Sequence, residues 1–397
     1  MFNSNKLNDQ MKITSDKLGN GAFGSVYIAI DNNNNNIAVK CESKEKKDSN
    51  LTLLREFKIS RKIFIINKYI NINDNNKKNE LYQNIIENLE NNNSIKIYKH
   101  IINNNLLLIP PEFNNYNSSI NNPLRVENNN SLEIEKDYLY KIIPQVYSYI
   151  ECNDFNFLTM QLCGDNFENI LEKYKLTENC KFYLAYNFLY ILSCIHKCGI
   201  IHRDIKLSNF VLNNKIINNN VDGLIPMIID LGLSKEYYRF ENGKVLLNQP
   251  YQIKSITGTI RYISMNIHAF NSPTIVDDLI SLCYCLIVIM TEKQLPWVGH
   301  KKDTDKFDFD NHTQTECKCG YHRNKLNKNL KLNTIAEIKF HTPYEEYIPR
   351  KYSFLIKWLN YLYSLKPKQL PNYNHLYKIL KNNVSNIEFE KLKFELL

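Results

Sequence analysis

The eight residues His202, Arg203, Asp204, Ile205, Lys206, Leu207, Ser208 and Asn209 constrain this chain more than any other stretch. They place a carboxylate, an ammonium and an amide at the spacing that phosphoryl transfer from ATP requires. Asp204 can accept the proton of an attacking hydroxyl or orient it, Lys206 can neutralise charge on the moving phosphate, and Asn209 can hold a magnesium ion. Such an octet arises by chance far less often than a glycine pattern. Its weight depends on whether the other parts of a nucleotide site occur in order along the chain.

At 397 residues and 43% hydrophobic content the chain can bury a large core, in one large or two medium domains. A net charge of +9 is modest for this length, so it favours acidic partners without calling for nucleic acid. The ten cysteines are scattered and no secretory apolar run follows Met1, which points to reduced thiols inside a cell, in cytoplasm or nucleus. Leu279 to Met290 is the longest apolar stretch. It is interrupted by Ser281 and falls short of the roughly 20 residues that span a bilayer, so it predicts a buried helix and no transmembrane segment. Asparagine runs recur at 32–36, 91–93, 103–105, 128–130 and 218–220; these bury too little apolar surface to order themselves and read as solvated turns or insertions. There is no internal repeat.

From Ile13 to Val39 the pattern predicts two extended segments around a glycine-rich turn, a second turn of asparagines, and then Ile37, Ala38, Val39 and Lys40. Leu51, Leu54, Phe57, Ile59 and Ile63 come close to helical spacing, with Glu56 among them. Residues 65–140 have no clear period and read as an insertion. Strands are expected at Ile142 to Ile150 and Phe155 to Leu162, followed by a hinge at Cys163 and Gly164. Helix is expected through the broad apolar face of Phe182, Leu184, Ala185, Phe188, Leu189, Ile191, Leu192 and Ile195.

Gly19, Asn20, Gly21, Ala22, Phe23 and Gly24 lie between two predicted strands, where glycines let backbone amides approach phosphates and Phe23 caps the tip; Leu18 and Ser25 flank them. Alone, such a hairpin is ordinarily just a turn. Two later residues raise its meaning. Lys40 sits on an apolar strand from which it reaches the α and β phosphates, and Glu56 on the next helix can anchor that ammonium. The plain alternative is two ordinary surface charges. Asp230, Leu231 and Gly232 follow the apolar strand Met227 to Ile229, so the carboxylate can chelate magnesium and Gly232 can allow the turn.

With these parts in order the chain resembles eukaryotic protein kinases, and one segment narrows the resemblance to the casein kinase I family. Ile256, Thr257, Gly258, Thr259, Ile260, Arg261 and Tyr262, then Ser264, Met265, Asn266, Ile267 and His268, look like that family's activation segment, in which a Ser-Ile-Asn type sequence replaces Ala-Pro-Glu. Asp277 to Leu282 and Leu295 to Gly299 are similar to its next helix and exit. The resemblance implies an α+β, two-lobed protein kinase fold: a small antiparallel sheet with one main helix, and a larger, mostly helical lobe. It implies a tail at 1–12, an N-terminal lobe over 13–162 containing the insertion, a C-terminal lobe over 163–380 and a tail at 381–397. It further implies that Val26, Ala38 and Val211 sandwich adenine, that Met160 is the gatekeeper, that the backbone of Gln161 and Cys163 meets the adenine edge, and that Asp278 supports the catalytic loop. The cofactors implied are ATP and magnesium. The partners are protein substrates carrying serine or threonine, acidic or already phosphorylated ones among them, read partly by Arg261; no nucleic acid is expected, and the chain is expected to be a monomer.

Departures mark a divergent member. Leu231 stands where phenylalanine is usual, Leu207 and Ser208 stand where the family has Pro-Asp, and Cys283 replaces a glycine. Lys301, Lys302 and Lys306 offer further basic charge without a clear register. His312, Cys317, Cys319 and His322 have the donors for a tetrahedral zinc site, but the one-residue gap between the cysteines fits no common finger, and zinc is disfavoured. Two rival readings stand beside the enzyme: a pseudokinase scaffold, which would ordinarily have lost Lys40, Asp204 or Asp230, and a vaccinia-related-type kinase, which shares the activation-segment pattern.

Overall fold

The computed structural model describes residues 11–21, 24–44, 52–71, 142–242, 244–298, 333–366, 368–383 and 396. Ala22 and Phe23, Leu51, residues 72–140 of the expected insertion, Gly299, Lys301, Lys302, Lys306 and the His312, Cys317, Cys319 and His322 set lie outside the described residues. The chain divides into two units. One draws on the chain up to His202, on Leu207–Asn248 and on the chain from Leu370; the other comprises Arg203–Lys206 and Gln249–Gln369.

In the first unit, β1 (Met11–Gly21), β2 (Gly24–Asp31), β3 (Asn36–Ser43), β4 (Val146–Glu151) and β5 (Phe155–Gln161) form an antiparallel sheet in the order β1-β2-β3-β5-β4. The asparagine run after β2 makes the expected turn. Asp31 accepts from the amides of Asn33 and Asn35 at 2.9 and 2.8 Å, and Asn34 takes a left-handed φ of 62°, which asparagine tolerates better than most residues. The sheet's two faces follow from its register. Met11, Ala29, Ile37, Val39, Cys41, Ile150 and Phe157 pack into one apolar cluster, which leaves Val26, Ala38 and Lys40 on the opposite face.

The strand expected from Ile142 starts four residues late, at Val146. Pro144 has no N–H to give a ladder, and Ile142 and Ile143 are buried without being strand, the Ile142 carbonyl accepting from Ile228 N at 2.9 Å. The helix α1 (Thr52–Asn71) runs past position 65, where the insertion is expected to begin.

Two further helices, α2 (Phe167–Lys173) and α3 (Glu178–Lys197), begin at side-chain caps: Asn166 accepts from Asn169 N at 2.9 Å and Thr177 from Cys180 N at 3.1 Å. The helix α3 covers the run expected to be helical and is buried on nearly every side. Phe188 within it stacks on Phe210 with ring centroids 3.9 Å apart and meets Phe167 edge-on at 5.1 Å. Each such buried ring contributes about 1.5–3 kcal/mol by leaving water. Short strands β6 (Ile200–Ile201), β7 (Phe210–Leu212), β8 (Pro226–Ile228) and β9 (Lys235–Glu236) come next, then the hairpin of β10 (Tyr238–Glu241) and β11 (Lys244–Leu247). β7 pairs with β8 and β6 with β9.

In the second unit, α4 (Met265–His268) is capped by Ser264, and α5 (Ile275–Thr291) is the buried helix expected over Leu279 to Met290. A capping box joins Thr274 and Asp277 at its start. Cys283 is fully buried in α5 and its thiol reaches the Leu355 carbonyl, 3.7 Å away, at the start of α6 (Phe354–Ser364). Thus the side chain that replaces glycine fills a helix contact. Among the described residues no helix is long and apolar enough to cross a membrane. The fold is α+β, the two-lobed protein kinase fold, with the antiparallel sheet N-terminal and helices after it.

Candidate active site

Strand pairing within the first unit positions the residues expected to meet a nucleotide. Val26, Lys40 and Leu158 lie opposite one another across three strands, and Ile28, Ala38 and Met160 make the next row. The residues proposed to meet adenine and phosphate, Val26, Ala38, Lys40 and Met160, therefore share one face. On β1, Gly19 pairs with Val26, Asn20 with Ser25 and Gly21 with Gly24; Leu18 is exposed. A Cβ at Gly24 would sit 1.9 Å from the Cys41 carbonyl oxygen, so only glycine lets β2 approach β3 there. Gln161 ends β5 with its amide given to the Gln145 carbonyl at 2.8 Å, and the thiol of Cys163 reaches the Gln161 carbonyl oxygen at 3.8 Å. Burial pushes the Cys163 thiol up to about 12, so it stays protonated and unreactive. Val211, buried in β7, pairs with Met227.

Lys40 is the hub. Its Nζ lies 2.7 Å from Glu56 Oε2 and 2.6 Å from Asp230 Oδ1, with side-chain exposures of 8% for the lysine and 4% for the glutamate. Burial by itself would lower the lysine's pKa, but the two carboxylates outweigh it and hold the ammonium above the ordinary lysine range. Glu56 comes from α1, Lys40 from β3, and Asp230 from the start of the 3-10 turn Leu231–Leu233.

The turn differs in one respect from expectation. Asp230 itself is left-handed, with φ 67° and ψ 60°, while Gly232 is required for a different reason: a Cβ there would lie 2.6 Å from Thr52 Cγ2 of α1. Arg55 Nη1 donates to the Gly232 carbonyl at 3.3 Å, and Lys62 reaches Glu236 at 2.7 Å. Asn209 closes another 3-10 turn, Leu207–Asn209, and its carbonyl accepts from Ile229 N at 2.9 Å, which brings it beside the residue preceding Asp230. His202, fully buried, shares a 3.0 Å hydrogen bond with the Ile229 carbonyl. A carboxylate and an amide oxygen are hard donors that suit magnesium and leave most of its octahedral positions to phosphate and water, so Asp230 and Asn209 fit that ion.

The octet is divided, with Arg203–Lys206 belonging to the second unit. There Asp204, 6% exposed, accepts from Thr259 Oγ1 at 2.8 Å and pairs with Lys206 Nζ at 2.8 Å. Arg203 is left-handed, φ 71°, and its amide donates to Asp278 Oδ1 at 2.9 Å. Asp278 thus holds the loop from α5, in the supporting role that the resemblance gave it. Gly258, φ 99°, passes so close to Arg203 that a Cβ would fall 2.5 Å from its carbonyl oxygen. The guanidinium of Arg261 stands 5.7 Å over the Tyr262 ring.

Two residues of this site have no role assigned by sequence. Thr259 donates to the Asp204 carboxylate, and the only trace of it in sequence is its place in the Thr257-Gly258-Thr259 run. Asp277 gathers the end of the activation segment: it bonds Ser264 Oγ and Asn266 Nδ2, the latter at 3.1 and 3.2 Å, and caps α5 through Thr274 N at 2.7 Å. The Ser264 and Asn266 that set this segment apart from Ala-Pro-Glu are therefore both ligands of one buried carboxylate.

Comparison with known families agrees with the geometry. The protein kinase domain model matches residues 117–360, more than half the chain. That stretch holds Asp204, Asn209, Asp230 and the activation segment, whereas Gly19–Gly24, Lys40 and Glu56 precede it; the ion pairs of Lys40 join these earlier residues to Asp230. The chain belongs to the protein kinase domain family.

Proposed function

We propose that this protein is an ATP- and magnesium-dependent serine/threonine kinase of casein kinase I type. The observation that carries the reading is Lys40 bonded at once to Glu56 and Asp230. An ammonium held buried between two carboxylates is expensive to desolvate, which supports a phosphate-binding role for Lys40 over a purely structural one.

In this reading Lys40, steadied by Glu56, takes the α and β phosphates. Asp230 and Asn209 would hold magnesium, which when bound would supply positive charge to the phosphates. Asp204 orients the substrate hydroxyl and accepts its proton, while Thr259 and Lys206 fix the carboxylate's rotamer in advance. Lys206 is then also placed to offset charge on the transferred group. Catalysis is positioning and electrostatics, with no covalent enzyme intermediate. Val26, Ala38, Met160 and Val211 enclose adenine, with the Gln161 carbonyl and the Cys163 amide on its edge. The activation-segment motif and Arg261 favour substrates with acidic or phosphorylated residues before the target.

The test is transfer from labelled ATP to an acidic serine peptide library, with Asp204→Asn as control. Transfer above that control, enriched for acidic or phosphorylated residues upstream of the target, is the expected result. Nucleotide binding without transfer would favour the scaffold, and transfer without upstream acidic preference would favour a vaccinia-related-type kinase.

A further inference from the structure

Lys339 is a cation in a place where packing alone would select a hydrocarbon. It lies in the helix over residues 333–341 and is 6% exposed. Its Nζ donates to two main-chain carbonyls, Ile260 O at 2.9 Å and Ile263 O at 2.7 Å. The rings of Tyr284 and Trp297 stand against the same ammonium, each 5.2 Å away at its centroid. No carboxylate pairs with it among the described residues. Trp297 adds a third contact, its indole N–H reaching Arg261 O at 2.7 Å. Carbonyls 260, 261 and 263 thus all accept hydrogen bonds from these two side chains, one on each side in sequence of residues 299–332.

An ammonium buried without a counter-ion is destabilising, and burial holds the pKa of Lys339 well below the usual lysine value. Among the described residues its neighbours add no opposite charge. His268 of α4 is buried with neither ring nitrogen bonded, and its pKa falls to about 3, through burial and then the nearby Lys339. What the ammonium gains is hydrogen bonding to a turn of backbone with no ladder of its own. The two π faces support the charge from the other side.

We propose that Lys339 is a positioning residue for substrate recognition, holding the main chain on both sides of Arg261 so that the stretch from Thr259 to Ser264 presents a fixed surface to the peptide. This rests on the kinase reading above, and the experiment separates the two. In the full-length protein, Lys339→Met removes the donor while keeping the stem. The Michaelis constant for the peptide should rise about tenfold while that for ATP stays unchanged, and Lys339→Arg should recover part of the loss. Hydrogen exchange at the amides of 256–264 should quicken while α3 keeps its protection, and the melting temperature should hold or rise because a buried charge has gone.

If wild type transfers no phosphate the kinase reading fails, and the tether is then judged by exchange alone. Wild-type peptide affinity together with wild-type exchange at 256–264 would overturn the proposal. So would exchange rising evenly across 249–369 with a falling melting temperature, the mark of an ordinary core residue. If Lys339→Met does not fold, Lys339→Gln, which removes the charge and shortens the reach to the Ile260 and Ile263 carbonyls, carries the same comparison.

Discussion

Lys40 answers to two carboxylates, and this makes its removal informative in two separate ways. Lys40→Met should abolish most transfer, by about 100-fold or more. It should also lower stability by about 3 kcal/mol, because Glu56 is then buried without its counter-charge. Adding Glu56→Leu should restore much of the melting temperature and none of the transfer, a split that denaturation and kinetic assays would read directly. Lys40, Glu56, Asp204, Asn209 and Asp230 stand out in sequence because each proposed role needs one residue type at one spacing. Thr259 is not legible in that way. A hydroxyl has many uses, and its bond to Asp204, 55 positions away, exists only when the activation segment folds back. Gly232 reads in sequence as a turn glycine for a similar reason: sequence displays flexibility, whereas the need here is for room beside Thr52.

At the scale of elements, α1 is the part whose placement matters most. It brings Glu56 to Lys40, and it is pinned to the 3-10 turn after Asp230 by Arg55 on the Gly232 carbonyl and further along by Lys62 on Glu236. Gly232→Ala should push α1 away through Thr52 Cγ2 and reduce transfer about tenfold, an effect on the order of 1.4 kcal/mol. Thr52→Ser removes only that methyl, so in the double variant it should recover activity, and a double-mutant cycle would measure the coupling. No recovery would mean that the glycine serves something other than this contact. Among the elements themselves, β2, β3, α3 and α5 are legible because apolar period is local. The start of β4 is not, because Pro144 interrupts an otherwise strand-like run.

For the whole molecule the question is whether anything must be added before it can act. Lys40 is paired with Glu56 and Asp230, Asp204 is gripped by Thr259 and Lys206, and the activation segment is gathered by Asp277 and Lys339. Elsewhere a phosphate on an activation loop orders that segment by pairing with arginines, whereas here Asp277 and Lys339 already hold it. Protein made in bacteria and treated with phosphatase should therefore transfer phosphate at the rate of untreated protein. Dependence on an upstream kinase would show that the contacts are insufficient. A chelator should abolish transfer and leave the melting temperature of the nucleotide-free protein unchanged, since on the proposed reading the metal enters with ATP and ion pairs and core hold the fold among the described residues.

Sequence alone determined the chemistry on offer and most of the elements that carry it. Residue types at short spacing and apolar period are local properties, written in a dozen neighbouring positions at a time. Tertiary structure decided which distant groups act together. Lys40 meets Asp230 across 190 positions, Asp277 collects Ser264 and Asn266, and Lys339 reaches back 76 residues to a carbonyl of the activation segment. Those pairings depend on strand register and helix packing, and any lysine or aspartate looks the same in sequence until the fold brings its partner within 3 Å.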